Sequence, residues 1–318
     1  GNTTQSFASY SSVPAQMNFR TNIFGDLLTN SENFQVVIDA DFNTNDINHE
    51  IKPVSTATEL YSAISTAKDG DVIQPTQNLN LATSGILSVD KNISINIPEG
   101  VTLTTARQEN TANIVVAAGK TLTLTGNGTM SGDNRLVDVN GNLVVNGPTF
   151  TASTDGRGSI FSVNPGAKMT IESANLKTPY IAIWNDGETV INDGTFDARL
   201  MTVRSEGKTT INGGTFINRS NNRDGEDNWS YGIRTMGANA EIIINGGTFT
   251  GVQGIISTDN GGKVTINDGV FSTHNTEGYK DGFYCVYATE KGVVTINGGY
   301  FYGANEWAPQ LAEGLSCI

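Results

Sequence analysis

Charge is scarce in this chain. Asp, Glu, Lys and Arg make up 16% of its 318 residues, where an average globular chain carries roughly 25%. So low a content argues against coiled coils and large helical bundles. What charge there is leans one way, with 32 acids against 19 bases and a net charge of −13. That imbalance disfavours nucleic acid and anionic membranes as partners, and mildly disfavours polyanionic glycans. Two cysteines and two histidines are too few for zinc-ribbon, iron–sulfur or disulfide-dense scaffolds. No stretch of 18 apolar residues occurs, so no transmembrane helix is expected.

Turn formers are abundant instead. The chain holds 36 Gly and 35 Asn, which predicts many short strands joined by tight turns. One phrase recurs: VVNGPTF ending at Phe150, VINDGTF at Phe196, TINGGTF at Phe216, IINGGTF at Phe249, TINDGVF at Phe271 and TINGGYF at Phe301. Degenerate copies end at Met130 and Leu176. Successive endpoints lie 20, 26, 20, 20, 33, 22 and 30 residues apart. A minimum near 20 with irregular additions is the signature of stacked repeats with loops bulging from fixed positions.

Each copy reads the same way. Val145, Ile171, Ile191, Ile211, Ile244, Ile266 and Ile296 precede the closing apolar residue by five positions, on the inward face of an alternating strand. Asn-Gly or Asn-Asp-Gly then turns sharply, because Asn and Gly tolerate positive φ. The Phe re-enters the core. Stacking predicts columns of Ile, of Phe and of Asn, the last being Asn146, Asn192, Asn212, Asn245, Asn267 and Asn297. Side-chain amides in such a column can hydrogen-bond from one repeat to the next. These columns serve stability, and no chemistry is assigned to them.

Upstream, Thr56 and Glu59 form a capping box, Leu60, Ile64 and Ala67 share a helical face, and Gly70 signals a helix end. A short helix ending in Ala67-Lys68-Asp69-Gly70-Asp71-Val72-Ile73, followed by Asn/Gly-turn repeats, resembles the right-handed parallel β-helix superfamily. That superfamily includes pectate-lyase-like enzymes, phage tailspikes and fibres, and bacterial surface adhesins. The style of repeat looks most like the β-helices of gut bacteria and their phages. The resemblance covers roughly residues 55–305. It implies an all-β fold, a right-handed parallel β-helix behind a short N-terminal capping α-helix, and an extracellular place on a virion or a bacterial surface.

The ends read differently. Residues 1–54 hold five of the 13 Phe and two Gly, with one plausible strand at Phe34–Ile38. They form either a cover over the first repeat or an extended anchor that docks on another protein, such as a virion or surface protein. Asp39, Asp41, Asn43 and Glu50 space oxygen ligands as an EF-hand loop does, but Thr44 stands where the sharp turn wants Gly. No cofactor is therefore expected, with calcium at those four residues the alternative. No signal peptide is present in the chain as given, and Gly1 fits removal of Met, signal cleavage or a tag scar. Residues 306–318 are too short for a further repeat plus a cap, so continuation of the chain, a folded-back tail or another subunit, as in a homotrimer, would cover the last edge. Cys285 and Cys317 fall at positions that could stack in adjacent repeats; two free thiols is the preferred reading and a disulfide the alternative.

Additions to the repeat fall after the closing Phe, at 151–158, 217–232 and 272–283, and should project on one side. Their span suits an extended chain ligand such as a glycan or cell-surface polysaccharide. The richest loop carries Arg219, Arg223, Asp224, Asp227, Trp229 and Tyr231, and the later one His274, Glu277 and Tyr279. Arg199 and Arg219 each follow a Phe by three residues and should be neighbours. Aromatic faces stack on sugar rings, while Arg and acids hydrogen-bond hydroxyls. These ten residues are the candidate glycan site. No Asp-Asp pair and no Gly-His-Gly occurs, so the resemblance fails at the active-site motifs of β-helix polygalacturonases, and no catalytic residue is assigned. Two functions stay open: a non-catalytic structural or adhesive protein with a glycan-binding flank, which is preferred, and a secreted polysaccharide lyase or glycoside hydrolase. Convergence of ionisable groups on one point of a groove would favour the second.

Overall fold

In a computed structural model the described residues are 51–106, 111–153, 158–219, 231–251, 254–259, 261–273, 284–288 and 291–302, with the backbone alone at 254, 255, 257, 259 and 284. The backbone of the strands Arg20–Phe24 and Gln35–Asp39 is described as well. The chain divides into two units, Gly1–Glu50 and Ile51–Ile318. In the first, those two strands form an antiparallel ribbon with Arg20 opposite Asp39 and Phe24 opposite Gln35. The strand expected at Phe34–Ile38 is thus present, shifted by one residue.

The second unit begins with the strand Ile51–Val54, which pairs in parallel with Val72–Pro75; these four residues therefore belong to the stack. The helix Ala57–Thr66 follows. The Thr56 side chain accepts from the Glu59 N–H at 3.1 Å, an N-cap that satisfies one open donor of the first turn. The Glu59 carboxylate reaches past Thr56 to the amide and hydroxyl of Ser55, at 2.6 and 2.9 Å, so the reciprocal half of the capping box is displaced by one residue. Leu60 and Ile64 are buried. The helix ends at Ala67, not at Gly70. Gly70 instead turns the chain at φ +93 and donates to the Asn92 carbonyl at 2.6 Å. Asp71 accepts from the Lys68 N–H at 2.9 Å and from Lys52 Nζ at 2.6 Å, joining helix end and first strand.

The rest is all-β, and every pairing in it is parallel. Among the described residues one sheet has 19 strands and the other nine. The strands recur in threes. Glu188–Ile191 pairs with Lys208–Ile211, Thr195–Ala198 with Thr215–Asn218, and Met201–Ser205 with Tyr231–Met236. The first two strands of each repeat lie in the larger sheet and the third in the smaller. Long parallel sheets assembled in this way are consistent with a β-helix.

The expected columns are in register. Val145, Ile171, Ile191, Ile211, Ile244, Ile266 and Ile296 stand opposite one another, and the first six are fully buried. Each such side chain is worth about 1.5–3 kcal/mol. Phe196, Phe216, Phe249, Phe271 and Phe301 form a stack with centroids 4.6–4.8 Å apart and rings within 11° of parallel, because the strand spacing is also the ring spacing. Asn212, Asn245, Asn267 and Asn297 each donate their amide to the Asn below at 2.7–2.8 Å, and Asn192 donates to Glu172 at 2.7 Å. The ladder thus starts at Asn192; Asn146 faces Ser173 instead. The turn needs glycine after it: Gly194 has φ +133, and a Cβ there would collide with the Ala174 carbonyl oxygen.

A further column governs register from the outside. Lys168, Glu188, Lys208, Glu241 and Lys263 are aligned, so charge alternates at every step. Opposite charges in register stabilise a pairing that a slip would turn into repulsion. The hydrogen bond and charge of Lys168, 2.9 Å away, with the charge of Lys208, hold Glu188 below the usual glutamate range.

Candidate functional site

The loops expected at 151–158, 217–232 and 272–283 fall between a strand of the Phe column and the next strand of the nine-stranded sheet, as the flanking strands Asn142–Ala152 and Ser159–Val163, Thr215–Asn218 and Tyr231–Met236, and Val270–Thr273 and Tyr284–Ala288 show. Of the ten candidate residues, Arg223, Asp224, Asp227, Trp229, His274, Glu277 and Tyr279 lie outside the described residues. So do Asp41, Asn43 and Glu50, the side chain of Asp39, and Cys317. Among the described residues no group of three or more potential ligands could hold a metal ion, and no helix is long and apolar enough to cross a membrane. Cys285 is a buried free thiol, pushed up by its burial.

Arg199 and Arg219 are neighbours across one repeat: their amides donate to the Thr178 and Ala198 carbonyls at the ends of adjacent strands. Arg199 Nε donates to the Pro179 carbonyl at 3.1 Å, and Arg219 forms an ion pair with Asp197. Tyr231 opens its strand and stacks on Tyr287, with centroids 5.7 Å apart and planes 12° from parallel.

These residues border the outer face of the nine-stranded sheet, and that face carries a denser group that the sequence reading passed over. A cleft of about 350 Å³ is lined by Arg135, Gly158, Ser159, Ser162, Asn164, Tyr180, Trp184 and Asp186. Trp184 and Arg204 are register partners, and the Arg204 guanidinium lies 3.6 Å from the Trp184 ring centroid, a cation–π contact. Trp184 Nε1 donates to both Asp186 oxygens at 3.0 and 3.2 Å. Arg204 also faces Asp186 at 3.8 Å and bonds Glu206. Burial pushes Asp186 above the usual aspartate range and Glu206 adds to it, against the pull of the Trp184 hydrogen bond and the Arg204 charge. Beside them, Ile181, Leu200 and Met201 form a small apolar cluster with Tyr180 and Trp184, apart from the main core.

At the other end of the cleft, Arg135 Nε pairs with Asp138 at 2.6 Å. The other Asp138 oxygen accepts from the Thr111 hydroxyl at 2.6 Å and the Ala112 N–H at 2.9 Å. Among the described residues Arg135 is the one non-glycine with positive φ, +48. Such a conformation persists where the surroundings over-determine it, commonly at ligand sites. Ser159 and Ser162 share a hydrogen bond of 2.9 Å between their hydroxyls.

A signal for this group was present in the sequence. Trp184 and Arg204 are 20 residues apart, as are Asp186 and Glu206, and 20 is also the spacing of Leu176, Phe196 and Phe216 in the closing column. Carrying the repeat period into the third strand would have stacked them. Arg135 and Tyr180 had no comparable signal, because a 20-residue step from either reaches no other residue that lines the cleft. No protein-family model, curated protein or solved structure matches the chain.

Proposed function

We propose that this protein is a non-catalytic glycan-binding protein, a right-handed parallel β-helix of the adhesin or phage-fibre kind acting outside the cell. Its binding strip is the outer face of the nine-stranded sheet together with the loops that border it. The observation that carries this reading is the cleft with Tyr180 and Trp184 in its wall, continued along the same sheet by the stacked Tyr231 and Tyr287. Six strand steps separate Val137–Val139 from Tyr284–Ala288, a rise of about 29 Å at ~4.8 Å per step. That length suits several units of a chain rather than one small molecule. Aromatic side chains offer flat apolar faces to sugar rings, and serine, asparagine and arginine beside them offer partners to hydroxyls. Arg199, Arg219, Arg223, Asp224, Asp227, Trp229, His274, Glu277 and Tyr279 would extend the strip through the loops. Residues 1–54 would anchor the protein to a larger assembly.

A glycan panel read for both binding and turnover tests the proposal. Binding without release of reducing ends or unsaturated product, weakened about tenfold by Trp184→Ala, supports it. A lyase or hydrolase reading draws on one observation, the Asp186 carboxyl held high beside Glu206 in a cleft, as a general acid would be. Product formation abolished by Asp186→Asn would establish that reading instead.

A further inference from the structure

The two ends of the stack are built differently. At the first end the edge strand Ile51–Val54 is blunted in three ways. Pro53 removes a backbone donor. Lys52 stands opposite Ile73 in the inward column and reaches Asp71 at 2.6 Å. The helix Ala57–Thr66 sends Leu60 and Ile64 into the same core as Val54. Such devices keep an edge from pairing with another chain. The last end has none of them. Among the described residues Tyr284–Ala288, Val293–Ile296 and Tyr300–Tyr302 each pair on one side alone, and their sequences YCVYA, VVTI and YFY hold no charge and no proline. Val294, Ile296 and Phe301 are only partly covered, whereas Val264, Ile266 and Phe271 one step earlier are buried. The outward columns change character there as well. Lys168, Glu188, Lys208, Glu241 and Lys263 are followed by Val293, where alternation calls for an acid. Thr195, Thr215 and Thr248 are followed by Val270 and Tyr300, and Thr250 and Ser272 by Tyr302. Val270, Val293, Tyr300 and Tyr302 are all exposed; the other exposed large apolar residues among those described, Ile51 and Ile86, lie at the first end.

We infer that these last strands are a self-association surface, which joins two copies of this chain end to end across a two-fold axis. The edge is self-complementary. A two-fold axis perpendicular to the stack sets the edge of one copy antiparallel to the same edge of the other, and the alternating N–H and C=O groups of antiparallel strands match. The valines and tyrosines bring apolar and aromatic surface, the composition of an interface centre. Because the strands carry no charge, like meets like there without repulsion, whereas two chains of net charge −13 repel over the rest of their surfaces. The amide ladder also ends at this edge: Asn297 donates to Asn267 and is the last of its column among the described residues. A head-to-tail stack would need the blunted first edge, so the association closes at two copies and does not run on as a fibre. The inference stands apart from the glycan reading. Given that reading, a dimer carries two binding strips and holds a polymeric glycan with avidity.

Analytical ultracentrifugation of the full chain over a range of concentrations tests this. The expected mass is twice the 33.8 kDa of one chain, falling toward one chain on dilution. Two variants return an outward column to its own pattern. Val293→Glu completes the alternation beside Lys263, and Tyr300→Thr resumes the column of Thr195, Thr215 and Thr248. Circular dichroism and melting of the dilute, single-copy protein should be unchanged, because each variant restores a pairing used elsewhere in the stack. Association should weaken at least about tenfold in Val293→Glu, which brings carboxylates into the interface of both copies, and about tenfold in Tyr300→Thr, which removes aromatic contact area. Ile51→Glu, at the blunted end, should leave the mass unchanged. A single-chain mass at every concentration would overturn the inference and leave this edge to be covered by another segment or another protein. A mass that grows beyond two copies would overturn it as well, as would association lost in Ile51→Glu or kept in both Val293→Glu and Tyr300→Thr.

Discussion

The two sheets of the larger unit use the same repeat for different ends. In the 19-stranded sheet a column holds one residue type for many steps: Ile from 171 to 296, Phe from 196 to 301, Asn from 192 to 297. On the outer face of the nine-stranded sheet the corresponding column reads Ser162, Trp184, Arg204, Arg234. Identical neighbours pack and hydrogen-bond well at ~4.8 Å, and any change in the column breaks two contacts. Only the step from Arg204 to Arg234 repeats a residue type, so this column gains little from stacking identity. The cleft lies on that face, at Ser162 and Trp184.

The comparison can be broken most forcefully at its stable side. Ile244→Asp places a charge without a partner between Ile211 and Ile266, all fully buried. The cost exceeds about 4 kcal/mol, and circular dichroism should show no cooperative native melt. Phe249→Ala, in the middle of the ring stack, should cost about 3–5 kcal/mol in a denaturant titration. Gly194→Ala follows, with about 1–3 kcal/mol expected from its positive φ and the crowding at Ala174. Asn245→Ala interrupts an exposed amide ladder and should cost about 1 kcal/mol. The outer charge column gives the smallest effect. Glu188→Lys would set three cations in a row, costing about 1 kcal/mol or less and fading with salt.

The same column predicts a pH dependence. Glu188 is held below its ordinary value of 4.5 in the folded protein. Its contribution is therefore present above pH 4.5 and lost as pH falls through the lower folded value. Asp186 runs the other way, because it is held above its ordinary 3.8. Its contribution is complete below that value and is lost as pH rises through the folded one. Asp186→Asn should flatten that part of the stability profile, whereas Glu188→Gln should flatten the acid limb.

Sequence and structure agree most closely where the repeat is most regular. The Ile and Phe columns, the ladder from Asn192 and the buried face of Leu60 and Ile64 were legible, because 20-residue spacing and Asn-Gly turns leave one register. The end of the helix was not, since Gly70 carries a turn signal that serves the Asn92 contact. The alternating Lys and Glu column escaped notice because each charge is ordinary within its own strand and acquires meaning only beside its neighbours. The cleft was legible in half: Trp184, Asp186, Arg204 and Glu206 obey the period, while a 20-residue step from Arg135 or Tyr180 reaches no other lining residue, so spacing gives them no address.

The central claim is that the uniform columns hold the stack and the varied face binds. One paired measurement addresses it directly: glycan affinity and melting temperature of Trp184→Ala and of Asn245→Ala, side by side with the parent protein. The account predicts that Trp184→Ala loses about tenfold in affinity along with the stability of its contacts to Arg204, Asp186 and the apolar cluster, and that Asn245→Ala melts earlier with affinity unchanged. The reverse pattern, with affinity lost at Asn245 and retained at Trp184, would contradict it and move the binding face to the larger sheet.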